Sequence, residues 1–231
     1  MTIINQTNCE HGKHHLRAIC FDLDGLLLDT EHIYRDGWLD AFEKMGIDKN
    51  AYDLATWSGL SWLQTRKLLA ADLGDAMVSK IRKARETYIL SQMTADKIPI
   101  KSGAHAVLQA AKKKGLKLAV VSSTVSSRAI PLLENADLLT YFDVHVFGDE
   151  VMAHKPLPDP YLAALAKLGV EDSLALAVED SFTGALSATK AGLTVFLVPD
   201  KSFNAQFFDA ALAQLTLFGV GNDLHELADK L

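Results

Sequence analysis

The chain has 231 residues, 49% of them hydrophobic and 23% charged, which is enough for one large core with a smaller unit inserted and lies outside the disordered and fibrous classes. A formal charge of −6 argues against a nucleic-acid partner, because binding a phosphate backbone requires clustered excess lysine and arginine; an anionic ligand would need cations placed locally. Two cysteines exclude a disulfide framework, and no uninterrupted apolar run approaches the ~18 residues of a membrane span.

In chain order, the tail MTIINQTNCEHGKHH lacks the apolar centre of a secretory signal, so the protein is expected to be cytoplasmic. Cys9, His11, His14 and His15 could together hold zinc, but a solvated tail explains the same letters and is the preferred reading. Five or six β-rich runs then alternate with helical patterns: residues 17–23, 117–122, 143–147, 174–179, 194–198 and 215–218. Such alternation favours an α/β fold, a Rossmann-like doubly wound parallel sheet. Most of these runs are continuously apolar, as strands covered on both faces should be.

Ala104, Val107, Leu108 and Ala111 follow helical spacing and run into Lys112, Lys113, Lys114 and Gly115, a helix end. Asp159 followed by Pro160 reads as the N-cap and first position of another helix, stopping near Lys167 and Gly169. A third spans about 183–190, with Gly192 beyond it. The stretch 32–96 carries helical patterns and no convincing strand; Tyr34, Trp38, Ala41, Phe42 and Met45 share one face before Gly46. The expected organisation is therefore a core made of residues 1–31 and 97–231 with an inserted all-helical cap, residues 32–96. Residues 28–31 and 94–101 are the expected hinges.

Four strands end in polar chemistry. Phe21-Asp22-Leu23-Asp24-Gly25 carries an apolar strand into two carboxylates and a glycine. Two carboxylates about 4 Å apart repel by roughly 4 kcal/mol at an effective dielectric near 20, which invites a cation or a shared proton. Val121-Ser122-Ser123-Thr124 brings hydroxyls and free N–H groups ahead of a helix, a phosphate-binding composition that also occurs in ordinary caps. Lys155 sits in His154-Lys155-Pro156-Leu157-Pro158, whose prolines restrict where it points. Val178-Glu179-Asp180-Ser181 is again a strand ending in acids. Any one of these could be a solvated turn; four together fit the ligand-binding edge of an open parallel sheet.

The order and spacing of these segments resemble the haloacid dehalogenase superfamily, in its branch with a helical cap between the first and second motifs, over nearly the whole chain from Arg17. Asp22 and Asp24 match the first motif, Ser122 the second, Lys155 the third, and Glu179 with Asp180 the fourth. The resemblance implies that Asp22 is the nucleophile and Asp24 the general acid and base. It also implies Mg²⁺ held by Asp22, the Asp24 carbonyl and Asp180, with Glu179 acting directly or through water. Ser122, Ser123 and Lys155 would hold the substrate phosphate. The implied enzyme is a phosphatase acting on a small-molecule phosphate ester through an aspartyl-phosphate, and no segment calls for a protein partner.

Asp24 argues against the dehalogenases, which lack that acid. A β-phosphoglucomutase-like phosphotransferase shares all four motifs. Against it, Asp29-Thr30-Glu31 resembles the phosphatase pattern, Tyr34 stands where mutases carry histidine, and Trp62 where they carry a phosphate-gripping arginine. Retention of every motif carboxylate speaks against a non-catalytic phosphometabolite-binding protein. Trp57, Trp62 and Arg66 are the expected specificity residues of the cap, with packing and solvation as the competing explanation.

Overall fold

The computed structural model describes residues 16–57, 62–93, 98–199 and 212–231. The tail with Cys9, His11, His14 and His15 lies outside them, as do residues 94–97 of the expected second hinge.

Six strands form one fully parallel sheet: β1 (Ala18–Phe21), β2 (Lys117–Val121), β3 (Val144–Val146), β4 (Ala175–Glu179), β5 (Thr194–Leu197) and β6 (Leu217–Val220). Their spatial order is β3-β2-β1-β4-β5-β6, the doubly wound arrangement that the alternation of elements leads one to expect. In this order β1 lies between β2 and β4, so the crevice where the winding reverses opens at the carboxyl ends of those three strands.

Strand alternation sorts the core into two faces. Ile19 and Phe21 of β1, Leu118 and Val120 of β2 and Leu176 and Val178 of β4 pack on one side against α3 (Ala104–Lys113) and α4 (Ser126–Asn135). The terminal helix α7 (His225–Ala228) covers the same side through Leu227. Ala18, Cys20, Ala119, Val121, Ala175 and Ala177 face α5 (Asp159–Leu168) and α6 (Phe182–Lys190). Small residues on that face let the two helices sit close, which matters for the site below.

Helix α5 begins one position away from the expected geometry. The Pro158 carbonyl already accepts from Leu162 N at 3.0 Å, so Pro158 is the cap and Asp159 enters the first turn, where its charge meets the positive end of the helix. At the other end Gly169 adopts the left-handed conformation that closes a helix (φ 65°).

Between β1 and α3 the chain forms α1 (Glu31–Lys44) and α2 (Trp62–Gln92), the latter broken at Gly74 by a non-helical backbone (φ 76°, ψ 155°). Trp38, Ala41 and Phe42 of α1 pack with Trp57 and with Leu69, Val78 and Ile81 of α2 in a hydrophobic cluster separate from both faces of the sheet. The chain leaves and re-enters the sheet unit side by side: Leu28 and Ile100 form an antiparallel bridge, Asp29 N donates to Pro99 O at 2.8 Å, and Lys101 N donates to Leu27 O at 2.9 Å. No helix among the described residues is long and apolar enough to cross a membrane.

Candidate active site

The site grows out of the ends of β1, β2 and β4. Asp22 follows β1 and keeps one more ladder bond, N to Val178 O at 3.0 Å, so its carboxylate is held at the mouth of the crevice beside β4. The chain then turns at Gly25 (φ 84°), whose N donates to Leu28 O at 2.8 Å. A Cβ on Gly25 would lie 2.1 Å from Asp180 Oδ2; only glycine lets this turn approach the carboxylate that ends β4.

Lys155 is the hub of the buried part. Its ammonium donates to Asp22 Oδ1 at 2.5 Å, to Glu179 Oε1 at 2.6 Å and to the Val121 carbonyl at 2.9 Å. Lys155 and Asp22 are each 7% exposed and Glu179 is 0% exposed. Burial works against the Lys155 charge, but Asp22 and Glu179 outweigh it and hold the ammonium above its usual range. Glu179 also accepts from the Tyr161 hydroxyl at 2.5 Å, and a Cβ on Gly184 of α6 would sit 2.1 Å from Glu179 Oε1. The small-residue face of α6 is therefore the wall of this carboxylate.

Asp22, Glu179 and Asp180 place carboxylate oxygens within 4.8 Å of one another. Against three carboxylates stands, among the described residues, the ammonium of Lys155, an excess of buried negative charge. Burial raises the Asp22 and Asp180 carboxyls well above the carboxylate range; neighbouring carboxylates push the same way and Lys155 only partly opposes them. A hard divalent cation relieves such a cluster, and an all-oxygen donor set suits Mg²⁺.

Asp24 has a different environment. Its Oδ1 accepts from the Thr30 hydroxyl at 3.0 Å and the Tyr34 hydroxyl at 2.8 Å, and its Oδ2 from Ser122 Oγ at 3.0 Å and Thr124 Oγ1 at 2.8 Å. Ser122 Oγ in turn accepts from Thr124 N at 2.9 Å. The carboxylate is thus held by four hydroxyls, from Thr30, α1 and the end of β2. Burial, and then the charge of Asp24, raise the Tyr34 phenol well above its ordinary value.

Of the residues singled out in the sequence, Asp22, Lys155, Glu179 and Asp180 form one buried cluster, and Asp24 and Ser122 meet beside it. Ser123 is exposed. Trp57 packs edge-on to Trp38 at 5.1 Å, Trp62 stacks on Trp38 at 6.1 Å beneath Arg82, and Arg66 pairs with Asp75 at 2.9 Å on the surface; these contacts all stay within the segment between the two chain crossings. The loop residues 58–61 lie outside the described residues. Thr30, Tyr34 and Thr124 entered the sequence reading only within motifs and were given no role at the site, and Tyr161 was not singled out, although a tyrosine on an otherwise apolar helix face is a signal, since a buried phenol needs a polar partner.

Residues 19–198 match the family model described as haloacid dehalogenase-like hydrolase. The chain is 32% identical over 206 residues to the protein CbbY of Rhodobacter capsulatus, covering 85% of this chain and 91% of that one. It is 30% identical over 184 residues to a phosphorylated carbohydrates phosphatase of Thermotoga maritima, covering 77% and 82%. The crystal structure of CbbY from Rhodobacter sphaeroides in complex with phosphate superposes with a TM-score of 0.75 at 26% identity, over 92% of this chain and 96% of that one. A match spanning the sheet from β1 to the end of β5, and taking in every carboxylate gathered at its edge, makes this chain a member of the haloacid dehalogenase-like hydrolases.

Proposed function

We propose that this chain, a phosphatase of that family, hydrolyses a small phosphorylated sugar or polyol through an aspartyl-phosphate on Asp22, with Mg²⁺ as its metal. The observation that carries the reading is the division of labour between two adjacent carboxylates. Asp22 is fixed by Lys155 in a cluster with surplus negative charge, whereas Asp24 stands among hydroxyls at the entrance.

Asp22, the Asp24 backbone carbonyl and Asp180 would hold the metal, which when bound offsets negative charge on the phosphate and the carboxylates. Glu179 has one oxygen committed to Lys155 and Tyr161, which supports a role in anchoring the lysine. The Asp22 carboxylate attacks phosphorus in line, and the alkoxide leaves with a proton from Asp24. Water then attacks the aspartyl-phosphate, giving its proton to Asp24, and phosphate departs. Lys155, the Ser122 hydroxyl and N–H groups after β2 meet the charge on the phosphoryl oxygens. The helical segment between the two chain crossings, residues 32–96, acts as a cap that closes over the crevice and excludes stray water.

Asp22→Asn keeps the shape of the side chain but removes the attacking oxyanion. Release of phosphate from p-nitrophenyl phosphate in Mg²⁺ should fall by at least about 10³-fold. Activity within tenfold of the parent protein would take Asp22 out of the nucleophile's role. Absence of metal-dependent turnover by the parent on any ester would favour a binding protein instead.

A further inference from the structure

The ammonium of Lys155 has three N–H donors, and all three are taken, by Asp22, Glu179 and the Val121 carbonyl. Val121 and Glu179 are the last residues of β2 and β4, so these two contacts form a fixed base. The third N–H then points at Asp22 and at whatever Asp22 attacks. How steadily the lysine is aimed depends on how firmly the Glu179 carboxylate is held.

Glu179 is fully buried, and the oxygen that accepts from Lys155 at 2.6 Å accepts also from the Tyr161 hydroxyl at 2.5 Å. Its other oxygen has only a long contact, 3.4 Å from Ser181 Oγ. A buried carboxylate needs more than one close donor to stay in place, and Tyr161 supplies the second. The Tyr161 ring lies with its face 5.1 Å from the Lys155 ammonium, which the negative face of the ring attracts. One buried side chain thus touches both members of the pair, through its hydroxyl on Glu179 and its ring under Lys155.

The arrangement is anchored on both sides. Tyr161 stands in the first turn of α5, just beyond the Lys155 loop, and α6 ties that loop down: Ser187 Oγ donates to Leu157 O at 2.6 Å and Lys190 Nζ to Pro156 O at 3.2 Å. Packing does not call for the hydroxyl. Tyr161 belongs to a core face of apolar side chains such as Val121, Val146 and Leu165, where phenylalanine would fill the same space.

We propose that Tyr161 is a positioning residue: its hydroxyl holds Glu179 on Lys155, and through that carboxylate it aims the ammonium at the phosphoryl group that Asp22 takes up. The effect on turnover rests on the phosphatase reading; the effect on the ammonium does not.

The test is Tyr161→Phe in the full chain, which removes one oxygen and keeps the ring. With p-nitrophenyl phosphate in Mg²⁺, kcat should fall about tenfold, as for a lost hydrogen bond to a charged group, while KM moves by less than about threefold. In a Glu179→Gln background the same substitution should cost less than about twofold, because the hydroxyl acts only through that carboxylate. Where Glu179→Gln leaves no turnover to measure, the ammonium decides. With isotope-labelled lysine, Lys155 should give a resolved NMR signal from its buried ammonium, identified by its loss in Lys155→Arg, and Tyr161→Phe should shift it. Parental kcat in Tyr161→Phe, equal losses in both backgrounds, or an ammonium signal that is missing or unmoved would overturn the proposal and leave Tyr161 as a packing residue. A parent protein that hydrolyses no ester, but whose ammonium signal still responds to Tyr161→Phe, would count against the phosphatase reading and not against the hold on Lys155.

Discussion

Asp22 and Asp180 carry more negative charge into the interior than Lys155 offsets, and the consequence is a dependence on both proton and metal. Burial, reinforced by neighbouring carboxylates, raises both carboxyls well above their ordinary range. An acid whose folded-state pKa exceeds its unfolded value stabilises the fold below the unfolded pKa, and loses that contribution as pH rises through the folded one. In chelator the protein should therefore lose this stability as pH climbs from about 4, the unfolded carboxyl value, through the raised values. Mg²⁺ competes with those protons, so its stabilising effect runs the other way. It should grow with pH and reach about 2.7 kcal/mol at a hundredfold excess over Kd. Thermal melts with and without Mg²⁺ between about pH 5 and 8 test this; a metal-induced shift that does not vary with pH would place the metal off these carboxylates.

Among the elements, α6 shows how a helix can set the geometry of a side chain it does not carry. Ser181 caps it by accepting from Gly184 N at 3.1 Å, and its face of Gly184, Ala185, Ser187 and Ala188 is buried toward β4. The Glu179 carboxylate fills the space that a Cβ on Gly184 would need. Gly184→Ala should force that carboxylate off Lys155 or push α6 away, costing about 1–3 kcal/mol of stability. It should also reduce kcat by more than it alters KM, since Lys155 loses the anchor that aims it at Asp22. Urea unfolding and steady-state kinetics would measure both, and a variant with parental kcat would show that the Glu179 anchor is dispensable.

At the scale of the molecule the described residues form two hydrophobic units, the doubly covered sheet and the α1–α2 cluster, joined by two chain crossings. Contacts of Tyr34 with Asp24 and of Glu86 with Arg128 also bridge them. Trp57 lies at the centre of the smaller cluster, against Trp38, Phe42 and Tyr52. Trp57→Ala should cost about 3–5 kcal/mol, concentrated in the helical unit. Hydrogen exchange should show α1 and α2 opening while β1 and β4 stay protected. Equal loss of protection in both units would mean that they unfold as one.

The sequence by itself determined the parallel sheet, its order of elements and the polar residues at the strand ends, because these follow from patterns local to the chain. Continuous apolar runs need cover on both faces, helical spacing supplies it, and an acid or hydroxyl ending such a run must emerge at the sheet edge. Asp22, Asp24, Ser122, Glu179 and Asp180 were legible for that reason, whereas Lys155, in a loop nine residues beyond β3, stood out only by its flanking prolines and by the family resemblance. Tertiary structure alone decided which groups surround them. Tyr34 shares helical spacing with Trp38 and so reads as a core residue, yet its hydroxyl reaches Asp24; nothing in the sequence singled out Tyr161 of α5, yet it bonds Glu179. Arg85 and Arg128 lie 43 positions apart in the chain and come together on Glu86. Spacing along one helix or strand reports which face a residue occupies; the partner it meets depends on how separate elements pack, which no local pattern encodes.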